Sequence, residues 1–186
     1  MLPLFAGRPL LLAALLTGLA SQLAYGQAAK SRISPPATAT AAAPGTIRIG
    51  GLVASPRTLA AADLAALPRR EQVITEKDNS KHTYQGWALA DVLHLAGAPA
   101  GKAIHGEVLA EALLATAADG YHAVYALPEI DPDFAAQTIL LADRRDGQSL
   151  DAAHGPYQVI VPLEKKPARW VRQVTAFDVV PAGPSK

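Results

Sequence analysis

Arg144, Arg145, His154, Lys165, Lys166 and Arg169 fall within one stretch of the chain, Thr138 to Val174 (TILLADRRDGQSLDAAHGPYQVIVPLEKKPARWVRQV). The chemistry that such a set can do is anion binding. A guanidinium pairs two oxygens of a phosphate or carboxylate at once, whereas an ammonium acts as a point charge. The spacing predicts an apolar strand from Thr138 to Ala142, then a charged turn carrying Arg144 and Arg145 and closed by Asp146-Gly147. A second strand is predicted from Tyr157 to Val161, followed by a cationic loop that runs into Trp170. Two strands that deliver Arg, His and Lys onto neighbouring loops frame a pocket for a small anion. The plainer role for Arg144, Arg145, Lys165 and Lys166 is as solvated turn residues that keep the protein soluble.

His154 lies in a His-Gly-Pro turn, placed either to line that pocket or to hold its loop with a hydrogen bond. His82 and Tyr84 lie upstream in a polar segment and either face a ligand or stand on an exposed sheet surface. His94, His105 and His122 fall on a helix, a loop and a hairpin strand. No two histidines share a metal-ligating spacing, so no metal site is expected. Glu129, Asp131 and Asp133 cluster around two prolines, a pattern that suits capping and turn formation better than acid–base chemistry.

Composition narrows the classes further. The chain has no cysteine, which excludes thiolate metal sites, iron–sulfur clusters and cysteine nucleophiles. Lys and Arg total 17 against 16 Asp and Glu, well mixed, so nothing marks a nucleic-acid binder. There is no Gly-x-Ser-x-Gly elbow, and Gly50-Gly51 lacks the continuation of a phosphate-binding glycine loop.

These loops need a scaffold, and the chain from Thr46 to Pro181 supplies the pattern of one domain. Thr46 to Gly51 alternates polar and apolar residues and predicts an initial edge strand. Thr58 is an expected N-cap for a helix over Leu59 to Leu67, stopped by Pro68. Glu71 to Lys77 predicts a strand with a turn at Asp78-Asn79-Ser80. Leu89, Val92, Leu93 and Ala96 share one face of a predicted helix, Ala88 to Ala96, with Gly97 at its C-terminal cap. Ala118-Asp119-Gly120 joins two hairpin strands, Leu113 to Ala117 and Tyr121 to Ala126. A last strand is predicted over Val174 to Val180. Short helices among uneven strands indicate an α+β class with β-rich mixed sheets.

Several of these segments, in this order, resemble the oxidoreductase molybdopterin-binding domain of the sulfite oxidase family. The carriers are TLAAADLAALP, YQGWALADVLHLAGAP (Gly86, Leu89, Leu93), ATAADGYHAVYALPEI (Asp119, Gly120, Tyr121), the His-Gly-Pro turn and Arg169-Trp170. The resemblance implies that family's mixed β-rich fold and a molybdopterin cofactor. It also places Arg169 where the family has a basic residue at the cofactor's phosphate, and Gln158 where the family often has Arg. The family's molybdenum-ligating cysteine falls between Val73 and Gly86, where this chain reads VITEKDNSKHTYQG. Thiolate-held molybdenum and its oxo transfer are therefore not expected. Whether the chain is an enzyme stays open at this point. One reading is a family member that still holds a pterin through Arg169, His154, Arg144, Arg145, Lys166, Tyr84 and His82. The other is a non-catalytic module that binds another small anion or a periplasmic partner.

The N-terminus predicts an address. Arg8 precedes an apolar run from Leu10 to Ala20, and Ala24-Tyr25-Gly26 offers a cleavage site before Gln27. Residues 1–26 are thus an expected signal peptide, and residues 27–45, rich in Ala, Thr, Ser and Pro, an expected flexible tether. The domain of residues 46–181 would be periplasmic or secreted. It would meet a membrane only through an uncleaved signal segment.

Overall fold

The computed structural model describes residues 45–183. The expected signal segment, and the expected tether up to residue 44, lie outside the described residues. No helix among them is long and apolar enough to cross a membrane.

The described residues open with β1 (Ile47–Gly51), whose Ile47 and Ile49 are fully buried. This strand is not the expected edge strand. It lies between β2 (Arg57–Leu59), which pairs antiparallel, and the last strand of the chain, which pairs parallel. A three-residue run around Thr58 gave no strand signal on its own, and β1 supplies the partner that makes it one. Thr58 therefore does not cap a helix. The first helix, α1 (Ala61–Ala65), is capped from inside by Asp63, which accepts the Ala60 N–H at 2.8 Å.

β3 (Arg69–Thr75) and β4 (Lys81–Ala88) form a hairpin whose turn holds Asn79 at φ 66°. α2 (Leu89–His94) buries Leu89, Val92 and Leu93, and Gly97 follows in the left-handed conformation. The hairpin β5 (Glu111–Ala117) and β6 (His122–Ala126) forms around Asp119-Gly120 as expected. α3 (Leu127–Ile130) is one short turn, followed by buried Asp131, which accepts N–H groups from Gly101 and Asp133. The remaining strands are β7 (Leu140–Arg145), β8 (Gln148–Ser149), β9 (Gln158–Ile160) and β10 (Val174–Pro181).

These strands make two sheets. One runs β2-β1-β10-β5-β6, and the other runs β3-β4-β7-β8 with β9 also pairing β7. A single apolar cluster joins them, with Tyr125, Phe177, Leu113 and Leu141 among its fully buried side chains. Burying such a side chain contributes about 1.5–3 kcal/mol, and most of the stability of this scaffold comes from that term. The backbone is stitched across the sheets where the chain passes from β9 to β10. Val159 donates to the carbonyl of Val171, and Val174 to that of Tyr157.

Candidate functional site

β7 runs three residues further than its apolar stretch predicts, so Arg144 and Arg145 are strand residues rather than turn residues. Arg144 pairs with Gln85 and Arg145 with Tyr84. Adjacent strand residues point to opposite faces, and this splits the pair. Arg145 lines a cleft of about 190 Å³. Arg144 lies on the far side near Arg69, Arg70 and Gln85, where its Nη1 donates to the Gly147 carbonyl at 3.4 Å.

One wall of the cleft is Tyr84, buried in β4. Its hydroxyl donates to Glu76 at 2.9 Å, and Arg145 meets the same carboxylate at 3.2 Å. Burial and the Glu76 bond push the phenol up, so Tyr84 acts as a neutral donor. Trp170 meets Tyr84 edge-on, with centroids 5.8 Å apart at 84°, and its indole N–H donates to the Val161 carbonyl at 3.2 Å. Both rings are thereby fixed.

The opposite wall comes from the His-Gly-Pro turn, in which the Gly155-Pro156 bond is cis. His154 lines the cleft, and its Nδ1 lies 2.7 Å from Asp151. That contact, followed by backbone donors, holds the Asp151 carboxyl below its usual range. Gln158, from β9, also lines the cleft. So the His154 alternatives merge: it borders the pocket and anchors its own loop.

The rim is cationic. Lys77, Lys165 and Arg172 all line the cleft, and none has an ion-pair partner among the described residues. Arg172 was not expected from the sequence, although the pattern was there. Val171 is fully buried, so Trp170 and Arg172 on either side of it turn the other way, toward the cleft. Two further hollows adjoin. One of about 260 Å³ shares Tyr84, Arg145, His154 and Gln158, and one of about 300 Å³ shares Trp170 and Arg172.

Of the residues named from the sequence, the fold brings Tyr84, Arg145 and His154 together. His82 shares a face of β4 with Tyr84 but lies one step nearer the turn. There its Nδ1 meets Asp146 at 2.7 Å and its Nε2 meets Ser80 at 3.0 Å. Lys166 is exposed and does not line the cleft, whereas Lys165 does. Arg169 turns away from it. Its guanidinium meets Glu164 at 2.5 Å and Glu129 at 2.8 Å, and stacks over Tyr125 with 5.0 Å to the ring centroid.

The Asp146 and Asp151 anchors make the cleft's loops sensitive to acid. Asp146 is held low first by the Thr83 N–H and then by His82. A carboxyl depressed in the folded state contributes stability that is present above its unfolded pKa, about 3.9, and lost as pH falls through the folded value. Melting temperature is therefore expected to fall as pH drops below about 4, and to fall less in an Asp146→Asn, Asp151→Asn protein. Equal slopes in the two proteins would refute this linkage.

The segment in which the resemblance expects the family's cysteine, Val73 to Gly86, borders this cleft through Ile74, Thr75, Glu76, Lys77 and Tyr84. The chain has no cysteine, and among the described residues no group of three or more His, Asp or Glu could hold a metal ion. The residues present do not fit a thiolate-held molybdenum. They do fit the phosphate-bearing part of a pterin cofactor, because free cations converge beside two fixed aromatic rings.

Residues 36–184 match the family described as oxidoreductase molybdopterin binding domain, and the chain belongs to that family. Among solved structures it is similar to the sulfane dehydrogenase SoxCD from Paracoccus pantotrophus, with a TM-score of 0.57 at 18% identity. That match covers 72% of this chain and 37% of the SoxCD chain, so the protein spans little more than a third of its neighbour. No curated protein gives a significant match. The α+β architecture of mixed sheets and short helices is thus the fold of this family.

Proposed function

We propose that this protein is an exported, periplasmic or secreted binding member of its family. Its cleft takes a phosphate-bearing pterin or a similar small anion, without thiolate-held molybdenum redox chemistry. The observation that carries this reading is the convergence of Lys165 and Arg172, both without ion-pair partners among the described residues, on one cleft with Arg145 and His154. Lys165 and Arg172 take the anion at the rim. Arg145, already bridged to Glu76, and His154, held by Asp151, set the charge and shape of the interior. A pterin, when bound, would bring its own redox-active ring. The protein's residues position that ring and shield it from water. A second reading keeps the same cleft for a periplasmic partner's acidic side chain. It is favoured by the exposure of Lys165 and Arg172 at the rim.

The test is metal and pterin analysis of protein taken from its native exported state, together with titration of inorganic phosphate. Phosphate is expected to raise the melting temperature, by the equivalent of about 2.7 kcal/mol at a hundredfold excess over Kd. A Lys165→Ala, Arg172→Ala protein should bind phosphate at least about tenfold more weakly, since hydrogen bonds to charged groups contribute about 1.5–3 kcal/mol. Stoichiometric molybdenum would overturn the metal-free reading. Phosphate binding that the double variant leaves unchanged would overturn the site.

A further inference from the structure

His82 is the one histidine among the described residues with a side-chain partner on each ring nitrogen. Its Nδ1 meets the Asp146 carboxylate at 2.7 Å, and its Nε2 meets the Ser80 hydroxyl at 3.0 Å. His122 and His154 have one such partner each, through Nδ1. Ser80, just before β4, and His82 within it are two residues apart and point to the same side. Asp146 is carried onto that side by the turn after β7. At φ 51°, it is pinned by the Thr83 backbone, which donates its N–H to Oδ1 and accepts the Asp146 N–H, both at 2.8 Å.

A carboxylate only accepts, so the Nδ1 that faces Asp146 carries a hydrogen. In the neutral ring Nε2 is then an acceptor, and it faces the Ser80 hydroxyl. A hydroxyl beside a base that a third group orients is the arrangement that activates a serine, and it is recognised by geometry and roles rather than by sequence order. Asp78 also lies 2.6 Å from the Ser80 Oγ, and it accepts the Ser80 N–H at 3.0 Å. The single hydroxyl hydrogen therefore has two acceptors, and Asp78 competes with His82 for it. The backbone bond to Asp78 holds the turn whichever acceptor the hydroxyl takes.

We propose that Ser80, His82 and Asp146 form a nucleophilic site outside the central cleft, which hydrolyses small, unhindered carboxylic esters. Ser80 is the nucleophile, His82 the general base and Asp146 the group that orients it. None of the three lines the central cleft, so the site stands independently of the anion reading. The His82 side chain is 23% exposed and that of Asp146 50%, which leaves no walls for a long acyl chain and favours groups the size of acetyl. The Ser80 Oγ bonds to the ester carbonyl carbon while its hydrogen passes to Nε2 of His82. The bond to the alcohol oxygen then breaks, and the alcohol leaves with that proton. Water, deprotonated by His82, attacks the acyl-serine, releases the carboxylic acid and returns a hydrogen to Oγ. The cations beside the developing oxyanion are Arg145, whose Nε lies 3.9 Å from Asp146, and Lys77 of the same turn.

The experiment treats the full chain with a fluorophosphonate, which loses fluoride as a serine oxygen bonds to its phosphorus, and locates the adduct by peptide mass mapping. p-Nitrophenyl acetate hydrolysis is followed beside it. A single adduct on Ser80 is expected, with none in Ser80→Ala, whose turn keeps its Asp78 bond. Ser80→Ala should also lose the ester hydrolysis and bind phosphate as the parent does. His82→Asn keeps a donor for Asp146 but offers Ser80 no base, and its labelling should be at least about a hundredfold slower. Asp78→Ala leaves the hydroxyl to His82 alone and should label faster than the parent. Slower labelling in Asp78→Ala would make Asp78 the base and overturn the role of His82. An unlabelled parent, or an adduct on another residue, would overturn the site outright. So would labelling at the parent's rate in His82→Asn, or ester hydrolysis that Ser80→Ala leaves unchanged; either would reduce the three residues to turn chemistry.

Discussion

A Gly86→Ala protein is expected to lose at least about 3 kcal/mol of stability, and with it the shape of the cleft. A Cβ at position 86 would lie 2.0 Å from the carbonyl oxygen of Leu141 and 2.6 Å from the Cα of Ala142. Both obstacles are backbone atoms of the neighbouring strand, so no side chain can swing aside. The glycine is needed for close approach. β4 and β7 change register between Gln85 and Gly86, and the bulge brings the two backbones together there. To admit a methyl group the strands must part across the Gly86–Ala142 and Trp87–Leu141 pairs. Tyr84 and Arg145 face each other at the other end of the same ladder, so the cleft's wall moves with it. Gly120→Ala is the control. Its added Cβ meets nothing within 4 Å, and the cost is the left-handed φ of 84° alone, roughly 1–2 kcal/mol. Urea denaturation of the two variants beside the parent measures both. A Gly86→Ala midpoint at or above that of Gly120→Ala would mean that the ladder yields without cost.

The ladder also explains how much of this molecule was legible in its sequence. Elements with a strong local signal emerge close to where they were expected: the Asp119-Gly120 hairpin, the helix capped by Gly97, and the last strand. β2 has three residues and no pattern, and it exists because β1 offers it an edge. β1 reads as an edge strand because it comes first, and it is interior because β10 pairs with its other side from the far end of the chain. Such pairings are non-local and leave no trace in a window of a dozen residues.

The site was legible to the same degree. The cationic stretch and its His-Gly-Pro turn do border a cleft with Tyr84. Which member of each basic pair faces it depends on strand parity and loop path. Arg145 rather than Arg144 lines the cleft because β7 continues through both residues. Lys165 rather than Lys166 lines it, and Arg172 joins because Val171 is driven inward.

Arg169→Ala is the second large effect, and it separates a residue that builds the site from one that binds in it. The family resemblance implies that Arg169, beside Trp170, contacts phosphate. In the fold its guanidinium bridges Glu164 and Glu129 and donates to the Val124 carbonyl at 3.0 Å. Its own carbonyl accepts the buried Tyr125 hydroxyl. The arginine thus ties the loop carrying Lys165 to the edge strand β6 and to α3. Removing one partner of a buried ion pair costs about 3–5 kcal/mol, because a desolvated charge is left behind. The Arg169 side chain is 36% exposed, so a loss of about 2–3 kcal/mol is expected here. Glu164 makes the loss worse, since its Oε2 is already buried without a partner and its other oxygen depends on Arg169. Adding Glu129→Gln and Glu164→Gln to Arg169→Ala should recover part of the melting temperature, since the stranded charges go with the arginine. Held well below its melting temperature, the single variant should bind phosphate within about threefold of the parent, which is under 1 kcal/mol. Full stability with lost phosphate binding would reverse the assignment and return Arg169 to the ligand. Lost stability with binding retained would mean that the carboxylates, and not an anion from outside, are what this guanidinium is for.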